Sequence, residues 1–169
     1  MGVLNVTSDS FSDGGQFIDT PEAIDHALAM EQEGADIIDI GGESTRPGAE
    51  PVALEDELQR VIPVIKGIRE RSDVCISIDS YKTQVAGQAL NAGADIVNDI
   101  SGLQFDKEMV NIVKKHNVPV VIMHIKGTPR DMQQNPHYDN LMQEIVAYFQ
   151  ERVEFCLQHG IKKENIILD

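Results

Sequence analysis

Six short apolar runs, each ending on a polar residue, constrain the fold of this chain more than any other feature. Every run is a near-continuous series of Val, Ile and Leu, and segments with helical periodicity separate one run from the next. Strands of a parallel sheet have this composition because helices cover the sheet and keep water from it. The sequence therefore predicts six parallel strands, at Gly2–Asn5, Asp36–Glu43, Val74–Asp79, Asp95–Asp99, Val120–His124 and Ile166–Asp169.

An internal repeat supports a series of strand–helix units. Residues 34–39 read Gly-Ala-Asp-Ile-Ile-Asp and match residues 93–98, Gly-Ala-Asp-Ile-Val-Asn, 59 positions later. That spacing fits two units of about 30 residues each. Six strands that alternate with five helices predict either a β/α barrel or a doubly wound open sheet. No GxGxxG or GxxxxGK[ST] segment follows the first strand, which favours the barrel.

Capping signals predict where the helices begin and end. Thr20 precedes Pro21 at the start of the first helix, and Gly34 is a suitable residue for its end. A second helix is expected over about residues 51–71, and Pro63 inside it should kink or break it. Further helices are predicted over residues 82–91, 106–116 and about 138–159.

The polar residues that end the apolar runs are candidate site residues, because the carboxyl ends of parallel strands meet at one rim. Adjacent strand residues point to opposite faces, so Asn98 and Asp99 cannot both face the interior. We assign Asn98 to the interior and Asp99 to loop support. Asp39 stays open between these two roles, and Glu43 is expected to anchor the loop after the second strand. The polar residues expected near this rim are Asn5, Asp39, Asp79, Asn98, Asp99, His124 and Asp169, and of these His124 is expected to be a structural histidine.

Charge and composition exclude several partners. The formal net charge is −14, from 28 acidic against 14 basic residues, which argues against a nucleic acid or an anionic membrane. No apolar run reaches the about 18–20 residues that span a bilayer, and the amino terminus has no signal-peptide pattern. Cys75 and Cys156 are far apart in sequence and are expected to be buried free thiols. These features predict a cytoplasmic protein.

Two long connections, at residues 7–17 and 41–50, carry motifs that are typical of one family. Both are rich in Gly, Ser and Asp and follow strand ends, where barrel loops build active sites. Together with four strand motifs they closely resemble dihydropteroate synthase, over essentially the whole chain. Ser8 is one departure, since the family usually has Pro there. The motifs are LNVTSDSFSDGG (4–15), GGESTRPGA (41–49), SID (77–79), DIVNDISG (95–102), VVIMHIKGTP (120–129) and ILD (167–169).

The resemblance implies a (β/α)8 barrel enzyme of folate biosynthesis and a target of sulfonamides. The family's enzyme joins p-aminobenzoate to 6-hydroxymethyl-7,8-dihydropterin pyrophosphate and yields 7,8-dihydropteroate and pyrophosphate. The resemblance further implies that Asp79, Asn98 and Asp169 bind the pterin, whose 2-amino-4-oxopyrimidine edge offers N–H donors beside acceptors. Ile100 and Met123 are expected to pack against the ring.

The two long loops are expected to serve the second substrate. By resemblance, Phe11, Thr45 and Pro47 line the p-aminobenzoate pocket. Asp9 and Arg46 are expected to pair when the loops close over the site. The closed loops would hold the amine in line and exclude water.

The resemblance also implies a metal and a division of catalytic roles. The family's residue at the position of Asn5 helps to hold Mg²⁺ together with the pyrophosphate, which makes Mg²⁺ the expected cofactor. In the reaction, Asp79 and Asp169 would stabilise positive charge on the pterin. Arg46 and the metal would stabilise the leaving pyrophosphate.

The chain is short for this family. A complete barrel takes about 250 residues and eight strands, whereas residues 1–169 reach the sixth strand. We therefore expect a single pterin-binding barrel domain over residues 1–169, without strands seven and eight. Weak or absent synthase activity is expected from this length, because the family's later Lys, Arg and His would be missing. A homodimer is usual for the family, although its surface normally involves late helices.

Two other functions stay open at this point. The chain could be a non-catalytic pterin-binding fragment or module that completes itself by pairing with another chain. It could also resemble the pterin-binding barrel of methyltetrahydrofolate–corrinoid methyltransferases, which has a similar Asp and Asn pattern. The paired loops at residues 7–17 and 41–50 favour the synthase, because they serve p-aminobenzoate and the pyrophosphate. In every case the expected partner is a small molecule.

Overall fold

Six parallel strands alternate with five α-helices along the described part of the chain. The computed structural model describes residues 1–7, 20–44, 51–128, 132 and 135–169. The strands are β1 (Gly2–Asn5), β2 (Ile37–Gly41), β3 (Cys75–Asp79), β4 (Ile96–Asp99), β5 (Val120–Ile122) and β6 (Ile166–Leu168). The helices are α1 (Thr20–Gln32), α2 (Leu54–Arg69), α3 (Thr83–Ala92), α4 (Met109–His116) and α5 (Leu141–Gln158), and a short 3-10 helix, Lys163–Asn165, precedes β6. Each predicted strand is present within its predicted range.

The strands form one sheet in the order of the chain. Each strand pairs with the next, from β1 to β6, and every pair is parallel. A doubly wound sheet changes direction at a switch point near its first strand, and this sheet does not. The order is that of a β/α barrel, and among the described residues β1 and β6 are the edges of an open sheet. The predicted α/β architecture, an incomplete barrel with six strands, is confirmed.

The two faces of the sheet differ in burial. One face, called the outer face here, packs under the helices, and the opposite face is called the inner face. On the inner face Val3 of β1 is 59% and Ile167 of β6 42% exposed, whereas Ser77 on β3 is fully buried, so this face is accessible at its two edge strands. The outer face is closed by side chains that are fully buried, among them Ile38, Ile40, Ile76, Ile78, Val97 and Ile122.

The internal repeat forms the same turn twice. Gly34 after α1 and Gly93 after α3 have φ values of 104° and 120°, which residues with a β-carbon rarely adopt. In each turn the following alanine donates its N–H to a carbonyl of the preceding helix, from Ala35 to Met30 at 2.9 Å and from Ala94 to Ala89 at 2.9 Å. The prediction that the first helix ends at Gly34 is therefore confirmed.

The second helix contradicts the predicted break at Pro63, while the predicted kink there stays a prediction. Pro63 lies inside α2, which runs without a break from Leu54 to Arg69. Proline removes one backbone hydrogen bond, yet α2 packs against both α1 and α3. Tertiary packing of an apolar face supplies most of the stability of a protein helix, and this packing keeps α2 continuous. The residues of that face that are fully buried are Val61, Val64, Ile65 and Ile68.

The longest helix, α5, is amphipathic. It carries charged residues along its length and leaves Leu141, Met142 and Val146 exposed to solvent. Among the residues that the structure describes, no helix has both the length and the hydropathy that crossing a membrane requires.

Arg69 joins three segments at the amino-terminal edge of the sheet. Its Nε and Nη2 atoms donate to the carbonyl of Gly93 at 3.2 and 2.8 Å, and Nη1 donates to the carbonyl of Val74 at 2.9 Å. Nη2 also donates to Asp95 Oδ2 at 2.7 Å, and the same oxygen accepts the N–H of Ile76 at 2.9 Å. Charge-assisted hydrogen bonds are stronger than neutral ones, so Arg69 stabilises this edge.

Replacing Arg69 by methionine should destabilise the protein by about 2 kcal/mol, because several partly buried acceptors lose their donor while the apolar stem is kept. The measurement is the free energy of unfolding in urea. Arg71→Met is the matched control: Arg71 forms an ion pair with Asp25 in which the side chains are 51% and 71% exposed. Such a pair contributes less than about 0.5 kcal/mol. Equal losses in the two variants would contradict the role of Arg69.

Candidate functional site

One row of residues crosses the inner face at the carboxyl ends of the strands. In the register of the sheet Asn5 pairs with Gly41, Gly41 with Asp79, and Asp79 with Asn98. Partners in a parallel sheet point to the same face, so the Asp79 and Asn98 side chains lie side by side. A β-carbon at position 41 would lie 3.3 Å from Asp79 Oδ2, so the glycine leaves the space that this carboxyl group uses.

The sequence did not decide whether Asp39 faces the interior or supports a loop. In the structure Asp39 lies on the inner face, two residues before the carboxyl-terminal row along the strands. It pairs in register with Ser77, two residues before Asp79. Its Oδ2 atom accepts a hydrogen bond from Nδ2 of Asn98 at 3.1 Å. This bond orients the amide of Asn98, because the NH₂ group is directed at Asp39 and the carbonyl oxygen is left to accept from another partner. Asp39 therefore belongs to the site and does not cap a loop.

Three buried polar atoms of this group have no hydrogen-bond partner among the described residues. They are Asp39 Oδ1, Ser77 Oγ and Asp79 Oδ1. Asp39 is 5% exposed and Ser77 is fully buried, so water does not reach these atoms freely. An unpaired buried polar group costs about 1–3 kcal/mol, and such groups are rare in folded proteins. Their concentration on the inner face indicates a binding site for a ligand that offers hydrogen-bond donors.

The acidic surroundings raise the pKa of Asp79. Burial is the largest cause, and the negative charges of Asp39, Glu57, Asp99 and Glu43 add to it, so that the pKa of Asp79 is raised to about 8. Burial also raises the pKa of Asp39, while the nearby Ser77 hydroxyl and the Asn98 amide both act to lower it. At neutral pH Asp79 is therefore mainly protonated in the free protein. A ligand that presents N–H donors to this carboxyl group would favour its ionised form.

Asp99 lies on the outer side of β4 and supports the turn that follows. It is fully buried. Its Oδ1 atom accepts hydrogen bonds from the Ser101 N–H at 2.8 Å and the Ser101 hydroxyl at 2.7 Å, and Oδ2 accepts the Leu103 N–H at 3.1 Å. The prediction that Asp99 serves the loop, while Asn98 faces the interior, is confirmed.

A buried ionic cluster beside Asp79 was not predicted from the sequence. Lys82 Nζ donates to Glu43 Oε2 and to Glu57 Oε2, each at 2.5 Å, and to the carbonyl of Val52 at 2.7 Å. Glu57 is 1% exposed. A charge buried to this extent requires a partner, and the ammonium group of Lys82 provides it. We call this group of side chains the Lys82 cluster.

Two hydroxyl groups complete the Lys82 cluster. The Ser80 hydroxyl donates to Glu57 Oε1 at 2.7 Å, and the Tyr81 hydroxyl donates to Glu43 Oε1 at 2.6 Å. These contacts agree with the expected role of Glu43 as an anchor of the segment after β2. The role of Glu57 has no signal in the sequence, because acidic residues in the first turn of a helix usually face solvent.

Asp169 lies beside the end of β5. Its N–H donates to the carbonyl of Ile122 at 3.1 Å, and its carbonyl accepts the N–H of His124 at 2.9 Å. This pairing places Asp169 level with Met123, and strand alternation puts both residues on the inner face. Ile100 follows β4 directly and is 6% exposed. The structure thus gathers these predicted site residues at the same end of the sheet as Asp79 and Asn98.

Five predicted site residues lie outside the described residues. They are Asp9, Phe11, Thr45, Arg46 and Pro47.

Asn5 offers one amide oxygen to a metal. It is exposed at the end of β1, in the row that includes Asp79. Within the described ranges no group of three or more His, Cys, Asp or Glu side chains could hold a metal ion. Mg²⁺ commonly takes one or two protein oxygens and fills its other positions with phosphate oxygens and water. Among the described residues, the amide oxygen of Asn5 therefore fits a Mg²⁺ ion that a phosphorylated ligand brings with it, and these residues do not form a metal site by themselves.

Comparisons with known proteins agree with this geometry. A family model described as pterin binding enzyme matches residues 1–169. The dihydropteroate synthase of Synechocystis is 50% identical over 169 residues, which are 100% of this chain and 58% of that protein. The crystal structure of the Yersinia pestis dihydropteroate synthase with a sulfonamide drug complex is similar with a TM-score of 0.92 and 45% identity, over 99% of this chain and 61% of that one. For the Xanthomonas albilineans dihydropteroate synthase with 4-aminobenzoic acid the TM-score is 0.90 and the identity 42%, over 99% of this chain and 59% of that one.

The chain thus spans between 58% and 61% of the length of these relatives. The similarity to the two solved structures covers nearly the whole chain, and with it the strands that carry Asp79 and Asn98.

Proposed function

We propose a function from one premise: this chain belongs to the pterin binding enzyme family. We infer that it carries the pterin-binding part of a dihydropteroate synthase. The whole enzyme would join p-aminobenzoate to 6-hydroxymethyl-7,8-dihydropterin pyrophosphate and give 7,8-dihydropteroate and pyrophosphate, a step of folate biosynthesis. The named relatives support this proposal, since they are dihydropteroate synthases and one of them is described with 4-aminobenzoic acid.

The pair formed by Asp79 and Asn98 carries the proposal. A pterin presents an exocyclic amino group and a ring N–H next to acceptor atoms. The unpartnered Oδ1 of Asp79 can accept from such donors, and the neighbouring amide of Asn98, oriented by Asp39, offers an acceptor at a fixed angle. A site with these acceptors favours a planar heterocycle with donors on one edge.

Asp79 and Asp169 would also act in the chemical step. When the bond between the pterin CH₂ group and the pyrophosphate oxygen breaks, the bond's electron pair leaves with pyrophosphate and the electron-rich ring shares the positive charge. Carboxylates held beside the ring stabilise that charge. The nitrogen of p-aminobenzoate is neutral and attacks the CH₂ carbon with its own lone pair, after which it loses a proton to solvent. No general base is required.

The other roles rest on the family resemblance and remain predictions. Ile100 and Met123 would pack against the pterin ring. Arg46 would stabilise the leaving pyrophosphate and pair with Asp9 when the loops close. The residues proposed to line the p-aminobenzoate pocket are Phe11, Thr45 and Pro47.

Asn5 would help to hold Mg²⁺ together with the pyrophosphate group of the substrate. The metal, when bound, supplies positive charge to the leaving group. We propose this cofactor because the amide oxygen of Asn5 fits it and because the pyrophosphate would supply the remaining negative oxygen ligands.

Isothermal titration calorimetry with the 169-residue chain tests the proposed function. We expect the pterin pyrophosphate to bind, with an affinity that rises as the pH approaches about 8, where Asp79 ionises. In the presence of pyrophosphate and a pterin, p-aminobenzoate should then bind. Asp73→Asn is the matched control, because Asp73 is exposed before the amino-terminal end of the same strand, and it should leave these affinities unchanged.

Each other outcome of the calorimetry has a definite meaning. No heat with any pterin would contradict the proposed function. Binding of a pterin that never creates a p-aminobenzoate site would support the non-catalytic pterin-binding alternative. Preference for methyltetrahydrofolate would support the methyltransferase alternative. Synthase turnover, measured as pyrophosphate release, is expected to be weak or absent at this chain length.

Location and assembly complete the proposal. A cytoplasmic location fits Cys75 and Cys156, which are both free thiols in the structure. We also propose that the whole protein is a homodimer, and sedimentation equilibrium of the full-length protein would measure its mass. A monomeric mass at micromolar concentration would contradict this part of the proposal.

A further inference from the structure

Lys82 connects three segments beside the Asp79 carboxyl group. The connection between β2 and α2 contributes Glu43 and Val52, and the N–H of Val52 also donates to Glu43 Oε2 at 3.3 Å. The first turn of α2 contributes Glu57. Lys82 itself lies three residues after Asp79, which ends β3. A single ammonium group therefore fixes how these segments meet at the edge of the site.

The Lys82 cluster holds one positive and two negative charges. Burial alone would lower the pKa of Lys82, but the hydrogen bonds to Glu43 and Glu57 raise it above its ordinary value, so the side chain stays charged. The nearby Arg60 donates to the carbonyl of Gly42 at 2.8 Å. Lys82 donates a hydrogen bond to each of the two carboxylates of the Lys82 cluster.

The charges of the Lys82 cluster act on the site. Glu43 and Glu57 each raise the pKa of Asp79, in addition to burial, Asp39 on β2 and Asp99 on β4. A positive charge held against these two glutamates opposes their effect. The ionised form of Asp79 accepts the N–H donors of a pterin more strongly than the protonated form does, so the affinity at neutral pH depends on this balance.

We propose that Lys82 is a positioning residue of the pterin site. Its ammonium group holds the ends of the β2–α2 connection and the start of α2 against the segment after β3, and it balances the negative charge that Glu43 and Glu57 place beside Asp79. This inference rests on the proposed function for the identity of the ligand. The contacts of Lys82 stand independently of that ligand.

Three variants separate the charge of Lys82 from its packing. Lys82→Met removes the charge and keeps most of the side chain, Lys82→Arg keeps the charge, and Glu57→Gln removes one of the negative charges. The titration of the Asp79 carboxyl carbon, followed by NMR in the free protein, reports on the site without any ligand. Calorimetry with the pterin pyrophosphate between pH 6 and 9 reports on binding.

The two charge-removing variants should move the Asp79 titration in opposite directions. Lys82→Met should raise the midpoint by about one pH unit and weaken pterin binding at pH 7 about tenfold, whereas Glu57→Gln should lower the midpoint by a similar amount. Lys82→Arg should stay close to the wild-type midpoint. General damage to the fold would not give opposite shifts.

The inference is wrong if Lys82→Met leaves the Asp79 midpoint unchanged, or if Lys82→Met and Glu57→Gln move it in the same direction. If the midpoints shift as expected but no variant binds a pterin, the proposed function fails while the electrostatic role of Lys82 stands. If Lys82→Met does not fold, the Asp79 titration midpoint of Glu57→Gln tests the inference. An unchanged midpoint in that variant would contradict the proposed charge balance.

Discussion

Replacing Asp79 by asparagine should make the protein more stable at alkaline pH. The pKa of Asp79 rises from 3.8 in the unfolded chain to about 8 in the folded protein, so the folded state holds this proton more tightly. Wild-type stability therefore falls as the pH rises from about 4 to about 8 and then stays level. Asparagine does not ionise and escapes this loss. Its advantage should be near zero at pH 4 and reach up to about 5 kcal/mol at pH 9.

The same variant should bind the pterin poorly. An amide cannot replace a carboxylate that accepts two N–H donors, and we expect the affinity at pH 9 to fall about 100-fold or more. Urea unfolding at pH 4, 7 and 9 measures the stability, and calorimetry measures the affinity, with Asp73→Asn as control for both. A variant with the same pH dependence of stability as the wild type, or with unchanged affinity, would show that Asp79 does not have this role.

Replacing Asp99 by alanine should destabilise the protein by about 3 kcal/mol. Asp99 is fully buried, and its loss leaves the N–H groups of Ser101 and Leu103 without their acceptors. Leu103 has a φ of 64°, which a residue with a β-carbon adopts at a cost of about 1–2 kcal/mol. The bond from Leu103 to Asp99 holds the turn in this conformation.

Thermal unfolding followed by circular dichroism checks the Asp99 prediction. Asp99→Asn keeps one acceptor oxygen and should lose roughly half as much stability as alanine. Lys107→Ala, at an exposed position of the same loop, should lose less than about 0.5 kcal/mol. If alanine at position 99 is tolerated as well as at position 107, the turn does not depend on the buried carboxylate.

The order of the elements and the polar rim could be predicted from the sequence, because both follow from local patterns. A buried parallel strand needs a continuous apolar run, and the residue that ends it must lie at the carboxyl edge. The assignment of Asn98 and Asp99 to opposite faces needed no more than strand alternation. The effect of Pro63 could not be predicted from the local sequence, because it depends on how α1 and α3 pack against α2.

The partners of buried polar groups could not be predicted. The hydrogen bond between Asp39 and Asn98 joins two strands, β2 and β4, that do not pair with each other. The contact between Lys82 and Glu57 depends on how α2 lies over the end of β3. Such contacts are long-range in the chain, and no periodicity of charged residues marks them.

The two copies of the internal repeat have the same backbone turn, but their last positions carry an aspartate, Asp39, in one copy and an asparagine, Asn98, in the other. Positions 39 and 98 are equivalent in the two copies, and the side chains there contact each other. Two aspartates would repel, and two asparagines would leave the site without this charged acceptor. The change of one oxygen into an NH₂ group lets the Asn98 amide donate to Asp39 and leaves its carbonyl oxygen as an acceptor for a ligand. Asp79 and Asn98 then both accept from the donor edge of a heterocycle, which gives an unsymmetrical ring one preferred orientation.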